Sequence, residues 1–429
     1  MCSSDLVRIV QANVEQRFKW DPEQLRANVE RHLALTRRPG IEQASIVVWP
    51  ETAMPYSLDE NPDLRIALDT GPLHGPLTGI GFYVEALRRE LLARGDVRLT
   101  EYVLSFRATL QPGARRLPLP AGLALRTWSR VPAPRVDRWL GGADLVHGTN
   151  FVVPPTRLPT VVTVHDCWFM RHPDRVTPDV RRSGDVLRAG VRRGATIVTP
   201  SESTARQTRA LFPGSPVMSV PLGPLPLGPD TGSHPDIPGL GGRPYVLALG
   251  TIEHRKNLPR LVTAFGSVAT ALPDLCLVLA GTPGDAADEV QRAVDALDPR
   301  ARSRVFCPGR VDGDARTALL RRATLLAYPS LDEGFGFPLL DAMQAGIPVV
   351  AANAGSIPEI AGDAAVLVDP LDVDALATAL LAVATDDATR RRLVGLGDLQ
   401  LRRFSWTRCA DEMVALYRRV VAGDVDTLR

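Results

Sequence analysis

The sequence of 429 residues lacks several features that would identify a partner or a compartment directly. It has no long block of basic residues and a formal net charge of only +2, so nothing indicates a nucleic acid as a partner. No stretch reaches the roughly 18 unbroken apolar residues of a membrane-spanning helix, and the N-terminus lacks the basic and then apolar order of a signal peptide. We therefore expect a cytoplasmic protein whose membrane contact is at most peripheral, at the inner face of the plasma membrane.

Cysteine and lysine are both scarce. The five cysteines are odd in number, widely scattered and without a Cys-x-x-Cys spacing, so neither a disulfide framework nor a zinc site is indicated. Lysine occurs only at Lys19 and Lys256, and arginine supplies every other cation of this kind. A general preference for arginine on surfaces does not explain why a lysine stands at position 256. Lys256 is therefore a candidate functional residue.

What is present is an alternation of short apolar runs and amphipathic stretches from Arg65 onward, in a chain that is 45% hydrophobic. This alternation is typical of a parallel α/β sheet. Residues 221–244 interrupt it with proline and glycine and are predicted to form a flexible domain linker. The alternation then restarts at Tyr245. The sequence thus predicts two doubly wound α/β domains, with a ligand site in the cleft between the carboxyl ends of their strands.

The predicted elements follow this alternation along the chain. The predicted strands are 65–69, 97–105, 144–148, 160–165, 196–200 and 216–220 in the first domain, and 245–249, 275–280, 304–307, 325–328, 348–352 and 365–368 in the second. The predicted helices are 82–93, 201–211 and 338–345, with others that begin at 258, 286 and 314.

Glycine marks the loop after the first of these strands. Residues 70–81 read TGPLHGPLTGIG and run directly into a predicted helix. Gly79 and Gly81 would let backbone N–H groups approach a ligand, and a helix N-terminus favours an anion there. The full G-x-G-x-x-G spacing is missing, so a tight turn without a ligand explains the segment equally well by itself.

Two cations follow the first strand of the second domain. Residues 249–259 read LGTIEHRKNLP, in which Arg255 and Lys256 precede a helix that Asn257 is expected to cap. Two such side chains can neutralise a diphosphate in the cleft. An exposed basic turn is the alternative, which the scarcity of lysine makes less favoured.

The most informative segment is 329–345, which reads PSLDEGFGFPLLDAMQA. Glu333 follows a strand and can accept hydrogen bonds from sugar hydroxyls, and the Gly-Phe-Gly turn after it lets backbone amides face a ligand. Pro338 suits the first turn of a helix, where the Leu339 amide suits a phosphate. Asp341 lies about one turn into that helix. A capped helix with an acidic start is the alternative interpretation.

Together, these motifs resemble those of the retaining glycosyltransferases of family 4, over about residues 64–418. The segments VVTVHDCWFMRHPD, VTPSESTARQ, ALGTIEHRKNLPRLVTAF, DEGFGFPLLDAM and AGSIPEIAGDAAVLVDP match in order. The resemblance implies the GT-B fold of two facing Rossmann-like domains, and transfer of a sugar, with mannose favoured, from a nucleotide diphosphate sugar with retention at the anomeric carbon. It also implies a saccharide or lipid-linked saccharide acceptor, a place in polysaccharide or glycoconjugate assembly, and no metal or other cofactor.

The resemblance assigns roles to individual residues as well. His165 would lie at the transferred sugar near the acceptor, Glu333 would hold the donor sugar, and Asp341 would bind the ribose hydroxyls. The predicted catalytic residues are Glu333, His165 and Lys256. The predicted donor-binding residues are Gly79, Gly81, Arg255, Lys256, Gly334, Phe335, Gly336, Leu339 and Asp341.

Two residues depart from the family pattern. The second acid of its E-x7-E motif is here Asp341, which is one methylene shorter and reaches less far toward the ribose. Thr251 follows the strand-end glycine where many members carry arginine, and Arg255 is the candidate to supply that charge instead. A catalytically weak nucleotide-sugar binder is therefore an alternative function.

The first 63 residues do not fit this scheme. Residues 7–63 contain KWDPEQ and WPETA and resemble a fragment of the nitrilase-like domain of apolipoprotein N-acyltransferase, in which Glu51 would be the general base. That chemistry also needs a lysine and a nucleophilic cysteine, and Cys167 lacks the family's sequence context. An amidase or N-acyltransferase is thus the second hypothesis for function, and we expect this activity to be absent.

The extreme N-terminus suggests an origin for this mismatch. The bases TGCTCTTCCGATCT would encode the CSSDL of residues 2–6, and that string resembles the end of a common sequencing adapter. We therefore predict a chimeric open reading frame joined near residue 64. The predicted domains are 1–6 (adapter-derived), 7–63 (partial nitrilase-like segment), 64–223 (acceptor side), 224–244 (linker), 245–410 (nucleotide-sugar side) and 411–429 (C-terminal helix).

Overall fold

The computed structural model describes residues 7–9, 34–35, 46–48, 63–75, 77–105, 108, 110, 113–230, 232 and 234–428. The chain divides into two units, Met1–Asp63 and Leu64–Arg429. In the first unit, β1 (Val7–Ile9) pairs in parallel with β2 (Ile46–Val48). Glu51 and the predicted adapter-derived residues 1–6 lie outside the described residues.

A seven-stranded sheet forms the first domain of the second unit. Its strands are β3 (Leu64–Asp69), β4 (Val97–Val103), β5 (Arg115–Arg116), β6 (Leu145–Gly148), β7 (Thr160–Thr163), β8 (Thr196–Thr199) and β9 (Val217–Ser219). They lie in the order β5-β4-β3-β6-β7-β8-β9, and every neighbouring pair is parallel. The chain therefore starts in the middle of the sheet and winds toward both edges, as in a Rossmann fold.

The described residues of this domain include five α-helices. They are α1 (Gly79–Leu92), α2 (Ala121–Trp128), α3 (Trp168–Arg171), α4 (Pro178–Arg192) and α5 (Glu202–Leu211). Ser201 caps α5, because its side chain accepts a hydrogen bond from the Thr204 backbone N–H at 3.1 Å.

A six-stranded parallel sheet forms the second domain. Its strands are β10 (Tyr245–Leu249), β11 (Cys276–Ala280), β12 (Val305–Gly309), β13 (Leu325–Tyr328), β14 (Val349–Ala352) and β15 (Ala365–Val368), in the order β12-β11-β10-β13-β14-β15. Its helices are α6 (Leu258–Ala271), α7 (Ala287–Asp295), α8 (Pro299–Arg302), α9 (Gly313–Arg322), α10 (Phe337–Ala345), α11 (Ile357–Ala361), α12 (Val373–Thr385) and α13 (Asp387–Leu401), and α14 (Trp406–Ala422) follows them. The prediction of two doubly wound parallel sheets is confirmed.

The described part of the proline- and glycine-rich segment 221–244 contains no helix or strand, but it is held along the second domain. The backbone carbonyl of Pro224 accepts a 2.8 Å hydrogen bond from the Trp406 indole, and that of Leu225 accepts one of 2.8 Å from the Gln344 amide. Leu222 and Leu225 are buried. The segment that the sequence predicts to be a flexible linker thus makes hydrogen bonds and apolar contacts with the second domain.

The chain returns to the first domain at its end. Helix α14 packs on α1, and the Tyr417 hydroxyl lies 2.7 Å from Nδ1 of the buried His147 on β6. Arg418 also pairs with Asp96 at 2.7 Å. The two domains thus share one hydrophobic core that runs from α1 to α14. Among the described helices, none is both long and apolar enough to cross a membrane.

Candidate active site

The loops at the carboxyl ends of the two sheets touch each other. A Cβ added to Gly334 would lie only 1.6 Å from the His165 carbonyl oxygen, so the backbone after β13 is pressed against the backbone after β7. A Cβ on Gly79, at the start of α1, would lie 3.5 Å from the ring of Phe337 at the start of α10. The structure therefore brings predicted site residues of both domains together at one cleft.

Glu333 is the centre of a buried charge cluster. Its Oε2 lies 2.5 Å from Nη1 of Arg255, and its Oε1 lies 2.7 Å from Nζ of Lys256. The carboxylate is 5% exposed. Burial alone would raise its pKa, but the two cations outweigh burial and hold the pKa of Glu333 at about 2. The Glu333 carboxylate is therefore ionised at neutral pH, and Arg255 also pairs with Glu253 at 3.5 Å.

Lys256 also lies at the point where the strand order of the second sheet reverses. Its ammonium group donates to the Tyr328 hydroxyl at 3.3 Å and lies 5.1 Å from the centre of that ring. A small cavity beside it is lined by Gly250, Lys256, Tyr328 and Ser330 at the ends of β10 and β13. Strand β10 is the first of the domain, and its neighbours β11 and β13 lead to opposite edges of the sheet. Ligands of open α/β sheets bind at such a switch point.

Asn257 holds the turn that carries these cations, but it does not cap α6 as predicted. Its side chain makes no capping bond, and it adopts a left-handed backbone conformation with φ of 56°. Its amide nitrogen donates instead to the carbonyls of Pro329, at 3.0 Å, and Pro370, at 2.7 Å. The prediction of a side-chain cap was wrong because the amide instead binds the Arg255–Lys256 turn to the segments that follow β13 and β15.

Asp341 lies in the middle of α10 and is 2% exposed. Its carboxylate forms an ion pair with Arg316 of α9. Burial raises the pKa of Asp341 to about 6, and Arg316 opposes that rise. The acid that the family pattern assigns to the ribose is thus held by a cation that the sequence interpretation did not include.

The glycine loop, which we define as residues 332–336, connects Glu333 to α10. Gly336 has a φ of 102°, which favours glycine at the position before the helix. The ring of Phe335 packs edge-on against Phe337 at 5.3 Å and Phe404 at 5.8 Å between centroids. The Leu339 amide, predicted to suit a phosphate, donates to the Gly336 carbonyl at 3.0 Å.

His165 follows β7 and is fixed in one tautomer. Its Nε2 lies 2.8 Å from the Thr149 carbonyl oxygen, which can only accept a hydrogen bond, so Nε2 carries the proton. Tyr83 and Phe151 pack edge-on against the ring, with centroids at 5.2 Å and 5.7 Å. Burial lowers the pKa of His165. The imidazole is therefore neutral near pH 7, and Nδ1 is a hydrogen-bond acceptor.

Two other predicted candidates are packed into the first domain. A Cβ on Gly81 would lie 2.8 Å from Leu77 Cδ2 and 3.0 Å from the Pro72 carbonyl, so this glycine lets α1 approach the preceding loop closely. Cys167 is buried with its sulfur 3.4 Å from the Thr208 hydroxyl, and burial raises its pKa to about 11. A protonated, buried thiol is a poor nucleophile, so nothing in the described residues activates Cys167 for nitrilase chemistry.

Several residues of the cleft were not predicted to act. Ser201 and Thr204 bind the Gly334 carbonyl, Glu359 binds the N-terminus of α5, and Arg316 pairs with Asp341. Ser201 and Glu359 do occur in the motifs VTPSESTARQ and AGSIPEIAGDAAVLVDP. Those motifs were a usable signal, but they gave no indication that the two segments meet. Among the described residues, no group of three or more His, Cys, Asp or Glu side chains is arranged to hold a metal ion.

Both domains of the chain are similar to known proteins. The chain matches the family described as Glycosyltransferase Family 4 over residues 77–223, and that described as Glycosyl transferases group 1 over residues 233–395. The O-antigen chain mannosyltransferase B of Escherichia coli is 28% identical over 390 residues, which cover 83% of this chain and 100% of that protein. The phosphatidyl-myo-inositol mannosyltransferase of Mycobacterium leprae is 29% identical over 377 residues, which cover 80% and 94%.

Sucrose-phosphate synthase from Thermosynechococcus elongatus has a similar solved structure, with a TM-score of 0.62 at 20% identity over 84% of this chain and 99% of that one. Two facing Rossmann-like domains and matched families on both sides of the cleft define the class of protein: the fold is GT-B, and the chain is a glycosyltransferase. Its first domain matches family 4, the family that the motifs resemble.

Proposed function

We propose that the chain transfers a mannose-type sugar from a nucleotide diphosphate sugar, with retention at the anomeric carbon, to a hydroxyl of a saccharide or lipid-linked saccharide. The observation that carries this proposal is the Glu333, Arg255 and Lys256 cluster at the switch point of the second sheet. Its two cationic side chains suit a diphosphate, and its carboxylate suits sugar hydroxyls. The mannosyltransferase names of two relatives with high coverage support mannose as the sugar.

The proposed reaction needs no nucleophile from the protein. Arg255 and Lys256 stabilise the diphosphate as its bond to the anomeric carbon breaks and negative charge develops there. The acceptor hydroxyl attacks that carbon from the same face, and its proton passes to the departing phosphate oxygen. Glu333 orients the sugar, while Nδ1 of His165 accepts a hydrogen bond from a hydroxyl near the reacting carbon. In this proposal Asp341 binds the ribose, and no metal ion takes part.

A thermal-shift screen of nucleotide sugars tests the proposal most directly. A true donor present at 100 times its Kd stabilises the folded protein by about 2.7 kcal/mol, and we expect GDP-mannose to give the largest rise in Tm. Incubation with that donor and a mannoside acceptor should then give a product with the anomeric configuration of the donor, as read by NMR. An inverted product would exclude retention, and a screen without any shift would remove the donor assignment.

The pairing of Asp341 with Arg316 keeps a second candidate function open, namely a nucleotide-sugar binder with little turnover. In that case a nucleotide sugar would raise the Tm, but neither transfer nor slow hydrolysis would be detected. The proposal assigns the activity to Leu64–Arg429, and it treats residues 1–63 as part of a chimeric reading frame that adds nothing to the cleft. Any membrane contact would be peripheral, at the place where a lipid-linked acceptor lies.

A further inference from the structure

The N-terminus of α5 in the first domain is capped from the second domain. Both oxygens of the Glu359 carboxylate, on α11, accept hydrogen bonds from backbone N–H groups of α5, namely those of Glu202 and Ser203, each at 2.8 Å. The first N–H groups of a helix have no partner within the helix, and the helix dipole favours a negative charge beside them. Glu359 therefore supplies α5 with an interdomain cap in addition to its own Ser201.

The same helix end binds the glycine loop. The Gly334 carbonyl accepts hydrogen bonds from the Ser201 hydroxyl, at 2.7 Å, and from the Thr204 hydroxyl, at 3.1 Å. Both of these side chains are almost completely buried. Gly334 directly follows Glu333, so the first domain forms hydrogen bonds with the backbone next to the residue at the centre of the charge cluster.

Helix α11 is in turn fastened to the glycine loop within the second domain. The Ser356 backbone N–H donates to the Glu333 carbonyl at 3.1 Å, and the Ser356 hydroxyl donates to the Phe335 carbonyl at 3.0 Å. A Cβ on Gly355 would lie 2.6 Å from the Glu333 nitrogen. Glu359 and the glycine loop are thus tied through Ser356, and any shift of α11 against α5 reaches Glu333.

We infer that Glu359 is a positioning residue for the transfer reaction, which it serves by docking the N-terminus of α5 on α11 and so fixing the glycine loop. The catalytic consequence of this inference rests on the proposed function, whereas the docking of α5 on α11 does not depend on it. Without the carboxylate, two backbone donors lose their partner, and the glycine loop keeps its Gly334 contacts and those of Asp332 with Gln207 and Arg171. Glu333 would then sample positions away from the donor sugar, while Arg255 and Lys256 would remain available to the diphosphate.

The test compares Glu359→Ala and Glu359→Gln with Glu412→Ala, which removes a half-buried carboxylate on α14 that pairs with Arg408 and lies outside the glycine loop. We expect Glu359→Ala to lower kcat roughly 10- to 100-fold, because small misplacements in an active site have effects of this size. Calorimetric Kd for GDP, the nucleotide probe, should stay within about twofold, since the phosphate-binding cations are untouched. The kcat of Glu359→Gln should fall between those of Glu359→Ala and Glu412→Ala, because the single amide oxygen can accept only part of the original hydrogen bonds. It also serves as the test variant if the alanine protein does not fold.

Hydrogen exchange separates this inference from the proposed function. Amides in 202–205 and 333–336 should exchange faster in both Glu359 variants than in the wild type and in Glu412→Ala. If exchange is unchanged in these two segments, the docking role is overturned whatever the activity. If exchange rises while the wild type transfers no sugar to any acceptor, the docking role stands and the proposed function fails. A loss of GDP affinity as large as the loss of kcat would show a general structural role and would also overturn the inference.

Discussion

Lys256 is conspicuous because the chain otherwise uses arginine almost everywhere that it has a long cationic side chain. Its ammonium group reaches both the Glu333 carboxylate and the Tyr328 hydroxyl, and it lies beside the cavity at the switch point. Arg255 occupies the other oxygen of the same carboxylate. Neither cation is an exposed turn residue, so the alternative interpretation of this motif is excluded by the structure.

Lys256→Ala should therefore reduce turnover far more than neutralising a cation outside the cleft, such as Arg419. The lysine opposes the charge that grows on the leaving diphosphate, and single contacts of this kind contribute on the order of 10² to 10³ in rate. Steady-state kcat with GDP-mannose, measured for Lys256→Ala and for the control Arg419→Ala, checks this expectation. A Lys256→Ala protein with near wild-type kcat would show that the lysine serves packing only.

Glu333→Gln should change how stability depends on pH. The pKa of Glu333 is depressed from 4.5 to about 2, so its ionisation stabilises the fold by an amount that is fully present above about pH 4.5 and is lost as pH falls through about 2. Glutamine does not titrate, so the stability difference between wild type and variant should be constant near neutrality and shrink by roughly 1 kcal/mol by about pH 3.5. Urea unfolding at pH 7 and pH 3.5 measures this difference. A difference that is the same at both values would mean that the two cations do not hold the carboxylate ionised.

At the scale of elements, short apolar strands could be predicted best from the sequence. The bounds of β10, β13 and β15 match the predicted ones because each is a short apolar run next to proline, glycine or a charged turn. Helix α4 was not predicted because its sequence PDVRRSGDVLRAGVR is largely polar. The helix begins at Pro178, and the Thr177 side chain caps its N-terminus. Strand β5 has only two residues, both arginine, and so carries no pattern.

The candidate site likewise contains residues that could be predicted from the sequence and contacts that could not. Arg255, Lys256 and Glu333 could be predicted because each follows a strand of one sheet, and the carboxyl ends of parallel strands lie at one edge. The Glu359 contact with Glu202 joins residues 157 positions apart in different domains. No local periodicity encodes such a pairing, because it depends on how the two sheets face each other. Its discovery therefore required the structure.

Gly334→Ala tests the contact between the glycine loop and β7. The added methyl group would fall 1.6 Å from the His165 carbonyl, so the loop must move away from the first domain. We expect transfer to fall by roughly 10- to 100-fold. Gly395→Ala in α13 is the matched control, since nothing lies within 4 Å of its Cβ position and alanine should stabilise the helix by about 0.5 to 1 kcal/mol. Equal activity in the two variants would mean that the close approach at Gly334 has no catalytic role.

At the scale of the whole molecule, the chain crosses between its two domains twice. The first crossing is the proline-rich segment, which is fixed along the second domain, and the other is α14, which returns to α1. A shared core and the buried Tyr417–His147 bond hold the domains together near these crossings. Any domain opening that admits a donor must therefore occur at the carboxyl-end loops, where the glycine loop meets α5.

Removal of residues 1–63 should leave this whole arrangement intact. Leu64–Arg429 forms a compact unit of its own and contains both sheets and every described residue of the candidate site. A truncated protein that starts at Leu64, with an added initiator methionine, should therefore fold with the same Tm and bind GDP with a Kd within about twofold of the full chain. Thermal unfolding and calorimetry of the two proteins check this, with Lys256→Ala in the full chain as the control for lost binding. A large loss of folded yield or affinity on truncation would contradict the chimera hypothesis and would make residues 1–63 a working part of the protein.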